Sequence, residues 1–155
     1  MKKLLLIWIL LAGRESWCQK TTLPDIDSIV YLQSSLPGTY QYDYSSLGKK
    51  GTLYTRFELQ ADTSKRQLLK AIYTEEGQQA FIIHYYFHNN QLIKVETMKR
   101  DEINKFPAAV YYFFHNKLVA KRGRNLTLQN EKLSVSYILK QRDYLLGEFN
   151  YFINN

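Results

Sequence analysis

The sequence predicts a single α+β domain. We expect an antiparallel meander sheet of about six strands, formed by three hairpins, with a short N-terminal helix and a C-terminal helix on one face. Two similar tyrosine-rich runs predict the hairpins, and apolar residues at helical spacing predict the helices. The chain has 155 residues, of which 45% are hydrophobic and 15% aromatic. That size and composition suit one core around one sheet.

The tyrosine-rich runs span residues 84–95 and 110–121 and align without a gap at an offset of 26 residues. Each reads Tyr-Tyr-Phe, then a few polar residues, then Asn-x-Leu and a β-branched residue. This order is typical of a strand, a tight turn and a returning strand. The segment 67–73 resembles a returning strand, and with the alternating segment 52–60 it predicts a hairpin before the other two.

The remaining elements flank these hairpins. Asp25–Gln33 follows Pro24 and has apolar residues three or four apart, which predicts a first helix of about three turns. Tyr40, Tyr42 and Tyr44 alternate along one face of a strand.

A helical period runs from Leu128 to Phe152 and predicts the C-terminal helix. Its apolar stripe comprises Leu133, Tyr137, Leu139, Tyr144, Leu145 and Phe149. Between residues 133 and 138 a strand-like alternation competes with the helix, so the start of this helix stays open.

Residues 1–18 have the order of a secretory signal peptide. A positive start precedes the apolar run Leu4–Ala12, and small residues at Ser16 and Cys18 favour cleavage before Gln19. We therefore expect a periplasmic or secreted domain, residues 19–155, without a transmembrane segment. A lipoprotein acylated at Cys18 is the alternative, although Trp17 replaces the small residue that such signals carry there.

Charge and cysteine content narrow the possible partners. The net charge of +7 becomes +5 without the leader, with 18 basic and 13 acidic residues. Solubility alone accounts for such a surplus and is the first interpretation. As a functional feature it suits a protein or an anionic envelope component as partner, and export makes nucleic acid unlikely. Cys18 is the only cysteine, so the exported domain has no disulfide and depends on its hydrophobic core.

The sequence offers no recognisable catalytic or metal-binding motif. On one strand, His84 and His88 are separated by roughly 13 Å, too far apart to bind one zinc ion. His88 and His115 approach each other only if neighbouring hairpins align. No nucleophile elbow and no glycine-rich phosphate loop is present. We expect neither enzymatic activity nor a cofactor nor a metal.

The aromatic strands suggest a binding surface. Alternation assigns Tyr85 to the core and Tyr86 to the opposite face. We expect Tyr86 and Tyr112 on the face away from the helices, with Lys94, Lys121 and Arg122 near its rim. Aromatic anchors within a basic rim suit a binding or inhibitor-type module. Cross-strand aromatic pairing in a core is the competing interpretation. A carrier that encloses a hydrophobic ligand between sheet and helix is the alternative function.

Tandem Tyr-Tyr-Phe and Asn-x-Leu hairpins, after an export signal and before a C-terminal helix, resemble small uncharacterised secreted or periplasmic β-hairpin-repeat proteins of Gram-negative bacteria. The resemblance covers residues 80–155 and, more loosely, 40–80. It implies the fold and the location, and it brings no catalytic residue with it.

Overall fold

The structure is a computed structural model. In the part of the chain that it describes, seven strands and two helices form the fold. The described residues are 23–35, 40–47, 54–76, 81–99, 107–123 and 133–155. The elements are α1 (Leu23–Ser34), β1 (Tyr40–Leu47), β2 (Tyr54–Asp62), β3 (Gln67–Glu76), β4 (Phe81–His88), β5 (Gln91–Lys99), β6 (Ala109–Phe114), β7 (Lys117–Gly123) and α2 (Val135–Asn154). The predicted leader, residues 1–18, lies outside the described residues.

Every strand pairs antiparallel with the next one along the chain, in the order β1 to β7. This arrangement confirms the predicted α+β meander. Three hairpins supply six of the seven strands. The seventh is β1, which pairs with β2 from Tyr40↔Ala61 to Leu47↔Tyr54.

The three hairpins share an irregularity that the alignment of their sequences does not reveal. In β5, Tyr86 pairs with Lys94 while Phe87 pairs with Leu92, so Ile93 is an extra residue. The same register shift leaves Leu69 extra in β3 and Val119 extra in β7. A β-bulge of this kind turns the following residues of the strand to the other face. The repeat therefore includes all three hairpins.

The turns explain why the last two hairpins are tight. Asn89 and Asn90 both have positive φ, 51° and 59°, and so do His115 and Asn116, 46° and 63°. Two consecutive residues with positive φ make the type I′ turn, whose twist matches that of the flanking strands. Asparagine tolerates this backbone region better than most residues because its short polar side chain bonds locally.

The main core lies between α2 and one face of the sheet. Tyr85, Phe87 and Phe113 are fully buried there, together with Ile138, Leu145 and Phe149 of α2. Ser134 caps α2 by accepting a hydrogen bond from the Tyr137 amide, which settles the boundary in favour of the helix.

The predicted C-terminal apolar stripe is correct for Leu145 and Phe149, which are buried, and for Leu133, Tyr137 and Leu139, which pack partly buried against the core. It is wrong for Tyr144, which is 43% exposed although its ring packs 5.4 Å from that of Phe57. It also omits Ile138, which is completely buried.

The expectation that both helices cover one face is wrong. Lys94 and Tyr112 contact Asp27 of α1, whereas their strand neighbours Val95 and Tyr111 belong to the core under α2. Successive residues of a strand point to opposite faces, so the helices cover opposite faces. The physical reason is that both faces of the sheet carry large aromatic side chains, Tyr85 and Tyr111 on one and Tyr86 and Tyr112 on the other. We call the side contacted by α1 the α1 face.

Neither described helix is long and apolar enough to cross a membrane.

Candidate binding surfaces

Four of the five predicted binding residues share the α1 face. Lys94 pairs with Tyr86 on one side and with Tyr112 on the other, so the three side chains form a row across β4, β5 and β6. Arg122 lies beyond Tyr112, with its guanidinium carbon 5.5 Å from the centre of the Tyr112 ring. Lys121 is on the opposite face, with its ammonium 5.1 Å from the centre of the Tyr111 ring.

The row is buried, which corrects the expectation that its tyrosines are exposed. Tyr86, Lys94 and Tyr112 are only 8%, 9% and 3% exposed. Asp27 of α1 reaches both Lys94 and Tyr112, whereas Tyr86 is bonded to Glu96 and lies beside Lys70 and Lys94. Whether these residues bind a partner stays a prediction, but the row offers little surface to one.

An ion-pair network holds α1 against this row. The Lys94 ammonium lies 2.8 Å from Asp27 Oδ1 and 2.8 Å from Glu96 Oε1. The Tyr86 hydroxyl donates to Glu96 Oε2 at 2.8 Å, and the Tyr112 hydroxyl donates to Asp27 Oδ2 at 3.2 Å. Each of the two carboxylates thus contacts the Lys94 ammonium and accepts a hydrogen bond from one tyrosine hydroxyl. We call these five residues the lysine network.

A single ammonium faces two carboxylates within the lysine network. Burial lowers the pKa of Lys94, but the Asp27 and Glu96 carboxylates outweigh it and raise the pKa above its ordinary value. Burial and the adjacent Glu96 carboxylate also raise the pKa of Tyr86. The network therefore contains a charged lysine and a neutral phenol, which suits a fixed structural link better than proton transfer.

His84 lies at the edge of the lysine network. Its Nδ1 is 3.4 Å from the Tyr86 hydroxyl and 3.9 Å from Glu96 Oε2. Burial, with a contribution from the Lys70 charge, lowers the pKa of His84 to about 4, and Glu96 opposes this only in part. The imidazole is consequently neutral at physiological pH.

Among the strands whose side-chain burial is described, β7 is the most exposed, and it ends the described sheet. Six of its seven residues are exposed, and they include Leu118 (39%) and Val119 (53%). Basic side chains flank this apolar pair, at Lys117 on one side and at Lys121 and Arg122 on the other. Among the described residues, no strand pairs with the outer edge of β7.

Sequence reasoning identified Lys121 and Arg122 but missed β7 as an edge. The last strand of an open meander is an edge strand, and lysines are typical of edges that avoid aggregation. The basic residues on both sides of Leu118 and Val119 were therefore a usable signal.

A pocket of about 230 Å³ lies between α1 and the turns of the last two hairpins. His88 and His115 both line it, so neighbouring hairpins do align and bring these histidines to one pocket. Among the described residues, no group of three or more His, Cys, Asp or Glu is arranged to hold a metal ion.

Comparison of the chain with protein-family models, with curated proteins and with solved structures finds no match.

Proposed function

We propose that this chain is an exported, non-catalytic binding module that captures an extended segment of a partner protein along β7. The observation that carries the proposal is the exposure of β7 along nearly its whole length at the end of the described sheet. An extended peptide adds to such an edge through main-chain hydrogen bonds, and alternate side chains provide specificity.

Charge indicates which segment fits. Lys117, Lys121 and Arg122 are exposed and surround Leu118 and Val119. A complementary segment has apolar or β-branched residues at its centre and acidic residues on both sides, because opposite charges across neighbouring strands stabilise their pairing. A second copy of β7 is disfavoured because it brings lysines against lysines.

The aromatic row has a supporting role in this proposal. Tyr112 is buried and bonds Asp27 of α1, and Tyr86 is buried and bonds Glu96. Lys121 and Arg122 act at the rim of the edge. The packing between sheet and α2 also favours a binding module over a carrier, because Tyr85, Phe87 and Ile138 fill that layer and are fully buried.

Selection from a random peptide library displayed on phage tests the proposal. We expect selected peptides to alternate Val or Ile with flanking Asp or Glu, and to perturb the backbone amide signals of residues 117–123 in nuclear magnetic resonance spectra. Enrichment of basic peptides, or signals that change only on another surface, contradicts the proposal.

A matched pair of variants tests the hydrogen bonding. Phe114 and Lys117 flank the two-residue turn and exchange hydrogen bonds, so the next residue, Leu118, directs its N–H toward the open edge. Leu118→Pro and Leu118→Ala both remove the isobutyl group, but only proline removes the N–H. We expect the proline variant alone to lose binding while its circular dichroism stays that of the parent protein. Equal binding by both variants contradicts strand addition.

A further inference from the structure

The pocket between α1 and the hairpin turns has an apolar and aromatic wall. Ile26 and Ile29 of α1 form one side, and Ile93 and Phe114 form the other. The His115 ring stands edge-on to Phe114, with 4.2 Å between the ring centroids. Aromatic rings favour edge-to-face or offset contacts with one another, so this wall suits a flat aromatic group.

The polar groups of the pocket are imidazoles and amides. His88 and His115 each offer a ring N–H, and Asn89 and Gln91 each offer an NH₂ group. The Asn89 oxygen already accepts a hydrogen bond from Gln67 Nε2 at 3.2 Å, which leaves its NH₂ group to donate. The pocket therefore presents N–H donors from four side chains, beside the acceptor nitrogens of the two histidines and the Gln91 oxygen.

The charges in and near the pocket also favour an anionic ligand. Of the ten described residues that line the pocket, none carries a carboxylate. Lys117, which pairs with Phe114, brings a basic residue to the neighbouring strand. An anionic ligand thus meets donors and no like charge, whereas a cationic ligand meets no counter-charge.

We propose that this pocket binds a small carboxylic acid with a single aromatic ring. The ring packs against Phe114 and Ile93, and the carboxylate accepts hydrogen bonds from His88 and His115. A volume of about 230 Å³ is below the usual range of ~300–1,000 Å³ for pockets that bind drug-sized ligands, which limits the ligand to a compact molecule. This site is separate from the outer edge of β7 and does not depend on the function proposed for that edge.

Titration of the isotope-labelled protein with phenylacetate tests the site. We expect saturable changes in the amide signals of residues 88–93 and 113–115. Phenylacetamide, which has the same shape without the charge, is the matched probe, and we expect it to bind about fivefold or more weakly. Equal binding of both probes overturns the assignment of the ligand class. Absence of saturable changes at millimolar phenylacetate overturns the site.

Variants then distinguish the pocket from non-specific binding. His88→Gln and His115→Asn each remove an imidazole, and asparagine retains the positive φ required at position 115. We expect each variant to weaken phenylacetate binding about fivefold, as the loss of one hydrogen bond does. Gln91→Trp places a large ring at an exposed position of the lining and should block the pocket. Undiminished affinity in all three variants contradicts the proposal.

Discussion

The Lys94 ammonium, on the interior strand β5, lies 2.8 Å from the Asp27 carboxylate of α1 and joins the helix to the sheet. The same ammonium contacts Glu96 at 2.8 Å, and it lies 5.7 Å from the ring centre of Tyr86 and 5.8 Å from that of Tyr112. One cation thus satisfies two carboxylates and two aromatic faces. This position explains why a lysine is tolerated in a buried row.

The first prediction concerns this cation. Lys94→Met keeps most of the buried chain but leaves Glu96 without its ion pair, so we expect the free energy of unfolding to fall by about 3 kcal/mol. Urea denaturation measures the change. Lys99→Met, on an exposed position of the same strand, is the control and should alter stability by less than about 0.5 kcal/mol. Similar losses in both variants contradict a special role for Lys94.

The second prediction concerns pH. The pKa of His84 is lowered to about 4 in the folded protein, below the value near 6.5 of an unfolded chain. Between these values the unfolded state binds more protons than the folded state, so stability is lost as pH falls from about 6.5 to about 4. The shift corresponds to at most about 3 kcal/mol.

The variant His84→Gln removes this titration. We expect its stability, measured by urea denaturation across this pH range, to decline less steeply than that of the parent protein. A decline of unchanged steepness assigns the acid sensitivity to another group.

The predicted fold was largely correct because hairpins are local. The repeated Tyr-Tyr-Phe and Asn-x-Leu signals lie within one hairpin each, and the structure places Asn90 and Asn116 in tight turns. The choice of face for α1 depends on distant contacts. Because side chains alternate along β4, both faces of the sheet carry a tyrosine: Tyr85 lies in the core under α2, and Tyr86 lies on the α1 face. The alternation of residues in the sequence therefore does not determine which face of the sheet α1 covers.

The prediction that Lys94 and Lys121 lie near the same rim is wrong, because the two lysines lie on opposite faces of the sheet. Lys94 and Lys121 were placed on one face, but at the offset of 26 residues Lys121 corresponds to Val95 and not to Lys94. Val95 is part of the core under α2, and Lys121 accordingly lies over Tyr111. The bulges at Ile93 and Val119 shift the alternation within each returning strand, and a bulge leaves little trace in a single sequence.

The third prediction concerns the core-facing side of α2. Ile138 is completely buried, whereas its neighbour Leu139 is only partly buried against the core. We expect Ile138→Ala to lower the free energy of unfolding by about 3 kcal/mol, and Leu139→Ala to lower it distinctly less. Thermal or urea denaturation compares the two. A larger loss for Leu139→Ala contradicts the rotation of α2 about its axis in this structure.

The last prediction concerns a link between the first two hairpins. Asn90 Oδ1 accepts from the Leu68 amide at 2.8 Å, and Asn90 Nδ2 donates to the Arg66 carbonyl at 3.1 Å. Asn90→Gly keeps the positive φ but loses both bonds and leaves the Leu68 N–H unpaired, which typically costs about 2 kcal/mol. Asn116→Gly makes the same change at the equivalent, exposed turn position of the third hairpin, so the entropic penalty of glycine cancels in the comparison. We expect urea denaturation to find Asn90→Gly less stable than Asn116→Gly. Equal stability of the two variants means that the asparagine serves only its own turn.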